Sequence, residues 1–467
     1  MAIPDSHRAA PGPDTARIFA HLRDRILSGS LPAGDTLSPA PQIAREMDAS
    51  RAAAKKALDQ LIAEGYLTPG PRSSLCVAAG AILRTSAEED FSPAPTGKFV
   101  PFRFDLIDFR PGVPDLSRFP SGLWKRIAGE VWDQMTPLDL SYSQPEGRAE
   151  LRREIARYLS ACRGVRCQPE QIVVTSGSTQ ALNIAARVLL RRRRPDCIME
   201  DPGSADGSRI LAGMGGRIIP VPADEQGLVT DELPQRARPC LVHVTPSHQF
   251  PLGGTMPVQR RVRLLSYARK HSAFVVEEDC DGDFRYDSPP VSALQGLLPS
   301  RVIYVGTFSM TLFPSLRVGF IVVPPALIEE MRSAKRLADF HTAALEQLVL
   351  ARLIKDGHYA RHLAFMEKNY RKSRALLLDA LRRHFGEEAH ILGAASGLHI
   401  CVRFPGIRFT PTLLNRIDLA GVGVYPVEDH AVGKGRWEDT LILGFGMLDD
   451  RRINTGIAIL KRCLPAS

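Results

Sequence analysis

Five short apolar runs, at 172–175, 197–199, 241–244, 273–276 and 302–305, leave this 467-residue chain few folds to choose from. Each is apolar at successive positions, as strands covered on both faces are. Amphipathic segments such as Gln259 to Lys270 lie between them. This alternation implies an α/β domain with a mostly parallel sheet and helices on both faces, and ligands in such folds sit at the C-terminal ends of the strands.

The first eighty residues read differently. Residues 1–14 are Pro-rich and are expected to be disordered. From Asp14 on, Ile18, Leu22, Ile26 and Leu27 recur at helical spacing, and Ser28-Gly29 and Pro32-Ala33-Gly34 stop the helix. A second short helix is expected near Ala40 to Met47. A third runs from Arg51 to Glu64, with Ser50 as N-cap and Gly65 as its stop. Tyr66-Leu67-Thr68 and Leu75-Cys76-Val77 are strand candidates around a turn. Three helices and a hairpin are the plan of a winged helix-turn-helix, whose third helix enters the major groove. Ser50, Arg51, Lys55 and Lys56 are therefore the expected phosphate or base contacts. Expected boundaries are 14–78 for this domain, 79–100 for a linker of loop composition, and 101–467 for the large domain.

Composition excludes more than it selects. The chain is 44% hydrophobic and 24% charged, ordinary for a globular protein. No stretch has the apolar length of a membrane span and the N-terminus lacks the apolar core of a secretory signal, so a cytoplasmic location is expected. The net charge of +9 permits a nucleic-acid partner without requiring one. Residues 15–78 hold only eight Lys and Arg against six Asp and Glu. The Arg191-Arg192-Arg193-Arg194 run reads as a solvated helix end. The eight cysteines form no C-x-x-C pair and no histidine cluster has metal spacing, so reduced thiols and no metal are expected.

At this point two resemblances become specific. Ile26-Leu27-Ser28-Gly29, Leu31-Pro32-Ala33-Gly34 and the ending Leu61-Ile62-Ala63-Glu64-Gly65-Tyr66-Leu67 resemble the DNA-binding domain of the GntR superfamily. Three places depart from that pattern. Ser38-Pro39-Ala40-Pro41-Gln42 lacks the usual Ser-Ser-Arg run, the third helix opens without the usual Asn-Thr, and the wing 71–75 is altered. Further on come Arg110 to Leu116, Tyr142 to Gly147, Thr175 to Gln180, Glu200 to Gly203, Thr245 to Pro251, Glu277 to Tyr286 and 302–320. Their order and spacing resemble the fold-type I, PLP-dependent aminotransferase-like domain of MocR-type regulators. The two resemblances together cover nearly the whole chain.

The resemblance implies roles. Ser178, Thr179, Gln180, Thr307, Ser309 and Arg317 match the positions around the phosphate of pyridoxal phosphate, groups that suit a phosphate dianion. Arg317, inside an apolar phrase, is expected to be buried and to need a partner. Tyr142 is expected to complete the pocket of a partner in a homodimer. The groups that handle the pyridine ring are changed. Met310 stands where the Schiff-base lysine belongs, and a thioether carries no amine. Glu278 replaces the ring-nitrogen aspartate, Cys280 the tyrosine, and Ser204 the stacking aromatic, with Asp279 expected to point elsewhere along its strand. An isolated introduced substitution at 310 would leave the other three positions intact. Natural loss of the covalent site follows, with Met310 as an apolar plug. The expected function is a DNA-binding transcriptional regulator reading promoter half-sites as a homodimer, its large domain free to hold a small effector without covalent cofactor. The alternatives are a PLP-related enzyme working without its own lysine, a repurposed enzyme using Glu278, Asp279 or His248, and a scaffold that binds neither DNA nor cofactor.

Overall fold

The computed structural model describes residues 12–71, 74–80, 103, 105–192 and 195–465. Residues 1–11, the linker beyond Gly80, Arg72 and Ser73 of the wing, and Arg193 and Arg194 lie outside the described residues. The chain divides into two compact units, Met1–Pro101 and Phe102–Ser467.

In the first unit the helices are Pro13–Leu27, Ala40–Glu46 and Arg51–Ala63. The first starts earlier than expected: Pro13 and Asp14 belong to its first turn, where a proline lacks no bond and an acid suits the dipole. Ile18, Leu22 and Ile26 from the first helix, Ile43 from the second and Ala54, Ala57, Leu58 and Leu61 from the third share one core. Strands Leu67–Pro69 and Leu75–Val77 pair antiparallel, Leu67 opposite Val77, and Thr36 adds a bridge to Cys76.

The second unit is built on an eight-stranded sheet. Its order is Ile172–Thr175, Gly319–Val322, Val302–Thr307, Phe274–Asp279, Leu241–Val244, Asp196–Asp201, Arg217–Asp224 and Gly227–Leu228. The five strands from 302–307 to 217–224 run parallel, and 319–322 and 227–228 are antiparallel to their neighbours. Alternation along the strands divides the core into two layers. Val173, Val276, Ile303, Val305 and Ile321 pack with helices Ser178–Leu189 and Ile328–Asp339. Val174, Tyr304, Phe320 and Val322 face helices Ala149–Arg163 and Ala344–Lys355. A second, four-stranded antiparallel sheet contains His390–Leu392, His399–Arg403, Thr440–Gly444 and Tyr425–Pro426. It packs with the long helix His358–Phe385 and the last helix Asp450–Cys463.

Candidate functional site

A pocket of about 180 Å³ opens at the C-terminal ends of the central parallel strands. It is lined by Ser178, Ser204, Thr245, His248, Phe250 and Glu278 through Asp281, with Gly112, Met310 and His399. The strand period explains the carboxylates on its floor. Glu277, fully buried on one face, accepts from the backbone N–H groups of Leu294 (2.8 Å) and Gln295 (3.0 Å), and burial together with the Asp279 charge pushes its carboxyl up to about 7. Glu278 turns to the other face and meets His243 of the neighbouring strand, Oε2 to Nε2 3.0 Å, while the Cys280 thiol donates to its Oε1 at 3.4 Å. Burial works against the Glu278 charge, but the His243 bond and charge, helped by Ser178 and Cys280, hold its carboxyl below the usual range. Asp279 points away from Glu278, as the strand alternation requires. Its carboxylate takes Arg163 of helix Ala149–Arg163 and the Tyr304 hydroxyl (2.8 Å).

The far wall is histidine-rich. Nδ1 of His248 lies 2.8 Å from Oδ1 of Asp281, whose Oδ2 accepts from the backbone N–H of Leu398 at 3.0 Å. Burial would raise Asp281, yet the neighbouring His248 holds it at about 2. An ionised Asp281 makes Nδ1 of His248 the donor. Among the described residues, Nε2 of His248 is buried with no partner. His399 packs its ring 4.7 Å from that of His248 and uses Nε2 toward the carbonyl oxygen of Pro251 at 2.9 Å. Burial first, then the nearby His248, lowers His399 to about 4.

The expected site residues divide. Met310, Ser178, Ser204, Glu278 and Cys280 come together in this pocket. Met310 is half-buried and packs against the core of the four-stranded sheet. Ser204 spends its hydroxyl on capping helix Ala205–Gly213, accepting from Gly207 N–H at 3.0 Å. Burial keeps the Cys280 thiol protonated, its pKa raised well above the ordinary value.

Thr179, Gln180 and Arg317 line a separate depression with Ser176 and Arg187. The expectation that Arg317 is buried is corrected: its side chain is exposed, its backbone is left-handed (φ 49°), and Nη2 donates to the Ser176 carbonyl at 2.6 Å. It also crosses over Gly177 (φ 92°), where a Cβ would meet Nη2 at 2.8 Å, so the turn opening helix Ser178–Leu189 demands glycine twice. The amide of Gln180 is engaged at both ends, its oxygen accepting from Ser176 N–H (2.8 Å) and Lys335 (3.2 Å) and its nitrogen donating to Asp339 (2.8 Å). Thr307 and Ser309 bond one another through Thr307 Oγ1. Tyr142 is 82% exposed and packs on Phe340 and His341.

On the third helix of the first unit, Ala53, Ala54, Ala57, Leu58 and Leu61 face inward, while Arg51, Lys55 and Lys56 project into solvent. The Ser50 hydroxyl accepts from Ala53 N–H at 3.1 Å, so it serves the helix end.

Sequence reasoning missed the gathering of His248, Asp281 and His399, whose ligand atoms all lie within 4.8 Å of one another. The expectation of no metal site rested on linear spacing, and His399 belongs to the second sheet. The nearest sequence signal was His248 in the phrase Thr245 to Pro251.

Comparison with known proteins gives consistent matches. Residues 122–411 match the family Aminotransferase class I and II, and residues 14–77 match the family Bacterial regulatory proteins, gntR family. The uncharacterized HTH-type transcriptional regulator YhdI of Bacillus subtilis (strain 168) is 34% identical over 449 residues, 95% of this chain and 94% of that protein. The probable rhizopine catabolism regulatory protein MocR of Rhizobium meliloti is 33% identical over 471 residues, 97% of this chain and 94% of that one. Among solved structures, LysN, an alpha-aminoadipate aminotransferase from Thermus thermophilus complexed with N-(5'-phosphopyridoxyl)-L-leucine, superposes with a TM-score of 0.71. The identity is 29%, over 77% of this chain and 92% of LysN.

Proposed function

Because the chain belongs to the MocR-type regulators, a GntR helix-turn-helix followed by an aminotransferase class I and II domain, we propose that its large domain senses a small ligand held reversibly. On this reading the protein controls transcription as a homodimer, without covalent pyridoxal phosphate.

The observation that carries the reading is Met310. By resemblance it stands at the lysine position, and it lies in the pocket wall among side chains that include no lysine and no arginine. An imine to the cofactor aldehyde needs an amine there. The remaining pocket groups also fit pyridoxal phosphate poorly. Glu278 is committed to His243, Ser204 to its helix cap, and of the expected phosphate cradle only Ser178 lines the pocket. No catalytic step is therefore derived through that cofactor. Pyridoxal phosphate remains what the fold family uses, and what this chain supplies is a fixed, half-polar cavity.

Support for DNA contact comes from Arg51, Lys55 and Lys56, three exposed cations on the outer face of the third helix that, among the described residues, enter no ion pair. Such groups neutralise phosphates and set most of the affinity. Support for dimerisation comes from Leu138, Leu140, Tyr142 and Phe340, large apolar side chains left exposed on the second unit.

The test is direct. Full-length protein is mixed with pyridoxal phosphate, reduced with borohydride and mapped by mass spectrometry. The expected result is no phosphopyridoxyl adduct in the pocket, together with salt-sensitive binding to its own promoter DNA. A reduced adduct on a pocket side chain defeats the non-covalent reading.

A further inference from the structure

The pocket contains two imidazoles whose tautomers are fixed by different acceptors. His248 gives its Nδ1–H to Asp281, and His399 gives its Nε2–H to the Pro251 carbonyl oxygen, which can only accept. In the neutral rings the lone pairs are thereby assigned to Nε2 of His248 and Nδ1 of His399. Nε2 of His248 is a polar atom buried without a partner among the described residues, in a residue only 6% exposed. Buried polar atoms are normally satisfied, so an orphan beside a cavity signals a missing occupant.

We infer that His248 and His399 form a binding site for a divalent transition-metal ion that prefers imidazole, such as Zn²⁺, Co²⁺ or Ni²⁺, with Asp281 positioning His248. Metal-binding histidines commonly donate their second N–H to a carboxylate or a backbone carbonyl, which fixes the ring and raises its basicity. Both arrangements are present here. One ligand atom from each of His248, Asp281 and His399 lies within 4.8 Å of the others, and the two imidazole rings sit 4.7 Å apart, so an ion about 2.1 Å from a nitrogen of each ring fits between them after a small movement of the rings. Imidazole ligation favours these ions over Mg²⁺ or Ca²⁺, which take oxygen donors. The rest of the cavity leaves the other coordination positions to solvent or to an effector bearing an oxygen or nitrogen donor. The site draws no ligand from Met310, although both line the same pocket.

The experiment uses untagged full-length protein, stripped with chelator and titrated with Zn²⁺ by calorimetry and with Co²⁺ by visible absorption. The expected result is one ion per chain, with Co²⁺ bands that Zn²⁺ displaces. His248→Ala and His399→Ala each weaken binding at least tenfold, and Asp281→Asn weakens it about 10- to 100-fold. His21→Ala, an exposed histidine of the other unit, leaves it unchanged. Because buried substitutions can unfold a protein, the unaltered protein loaded with Zn²⁺ is also measured by X-ray absorption, which is expected to show imidazole scattering. Lack of saturable binding, binding that persists in the His248→Ala/His399→Ala double variant, or a zinc spectrum without imidazole would each overturn the inference.

Discussion

The terminal methyl of Met310 reaches the backbone of Gly112 so closely that a β-carbon at Gly112 would lie 2.9 Å from it. The methionine thus crosses to the opposite wall and fills space there, as its flexible thioether allows.

Restoring the amine alone is therefore not expected to restore an enzyme. Met310→Lys should show weak or no transamination with pyridoxal phosphate and an amino acid, because Glu278, Cys280 and Ser204 remain. Brisk turnover, read as the exchange of cofactor between its aldehyde and amine forms, would show that position 310 was the only lesion.

Removing the plug has a measurable effect on stability. Met310→Ala leaves a void at a half-buried site, so a loss of about 1–2 kcal/mol is expected, below the roughly 2–5 kcal/mol typical of fully buried methionines. Urea melts of the two proteins give the difference.

On the DNA side, Arg51→Ala with Lys55→Ala removes two cations from the outer face of the third helix. Affinity should drop across all sequences, and the slope of log K against log salt should become shallower by about 2 for each bound chain, about 4 for a homodimer. Fluorescence anisotropy at several salt concentrations measures both. Unchanged retention would favour a scaffold that does not contact DNA.

Ser50 makes a different prediction. Its hydroxyl caps the third helix, so Ser50→Ala should lower stability by about 1 kcal/mol, seen as a lower Tm of the first unit, while Ser50→Gly loses only a few tenths.

His399 sets a pH dependence. Its folded pKa is lowered from 6.5 to about 4, so the neutral ring is the form the fold favours. That contribution is complete above pH 6.5 and is lost as the pH falls through about 4, a change on the order of 3 kcal/mol. Denaturant melts across this range should show the decline, and His399→Gln should flatten it. An unchanged slope in the variant would assign the decline to other groups.

How much of this was legible beforehand depended on how local each signal was. The strands 172–175 and 241–244 were found at their observed bounds because full burial on both faces leaves a mostly apolar run, interrupted only by His243 and Thr175. Arg217–Asp224 was passed over: its burial is mixed and Pro220 and Pro222 interrupt it, which a position near the sheet edge tolerates. Gly319–Val322 was hidden within a phrase read for its chemistry. In the pocket, Glu278 and Cys280 were found because they share one strand end. Arg317 was misjudged because apolar neighbours were taken as a sign of burial, whereas a left-handed turn swings it outward. His399 gave no signal, since only the packing of two sheets brings it to His248.

Asp279 holds the strand tip from the side away from Glu278. Its carboxylate is clasped by Arg163 from a helix and Tyr304 from the adjoining strand, neither of which lines the cavity. The strand tip is thus anchored from behind, and the side chains in front of it are free to vary. Substitutions at the cavity wall therefore need not disturb the sheet that carries it.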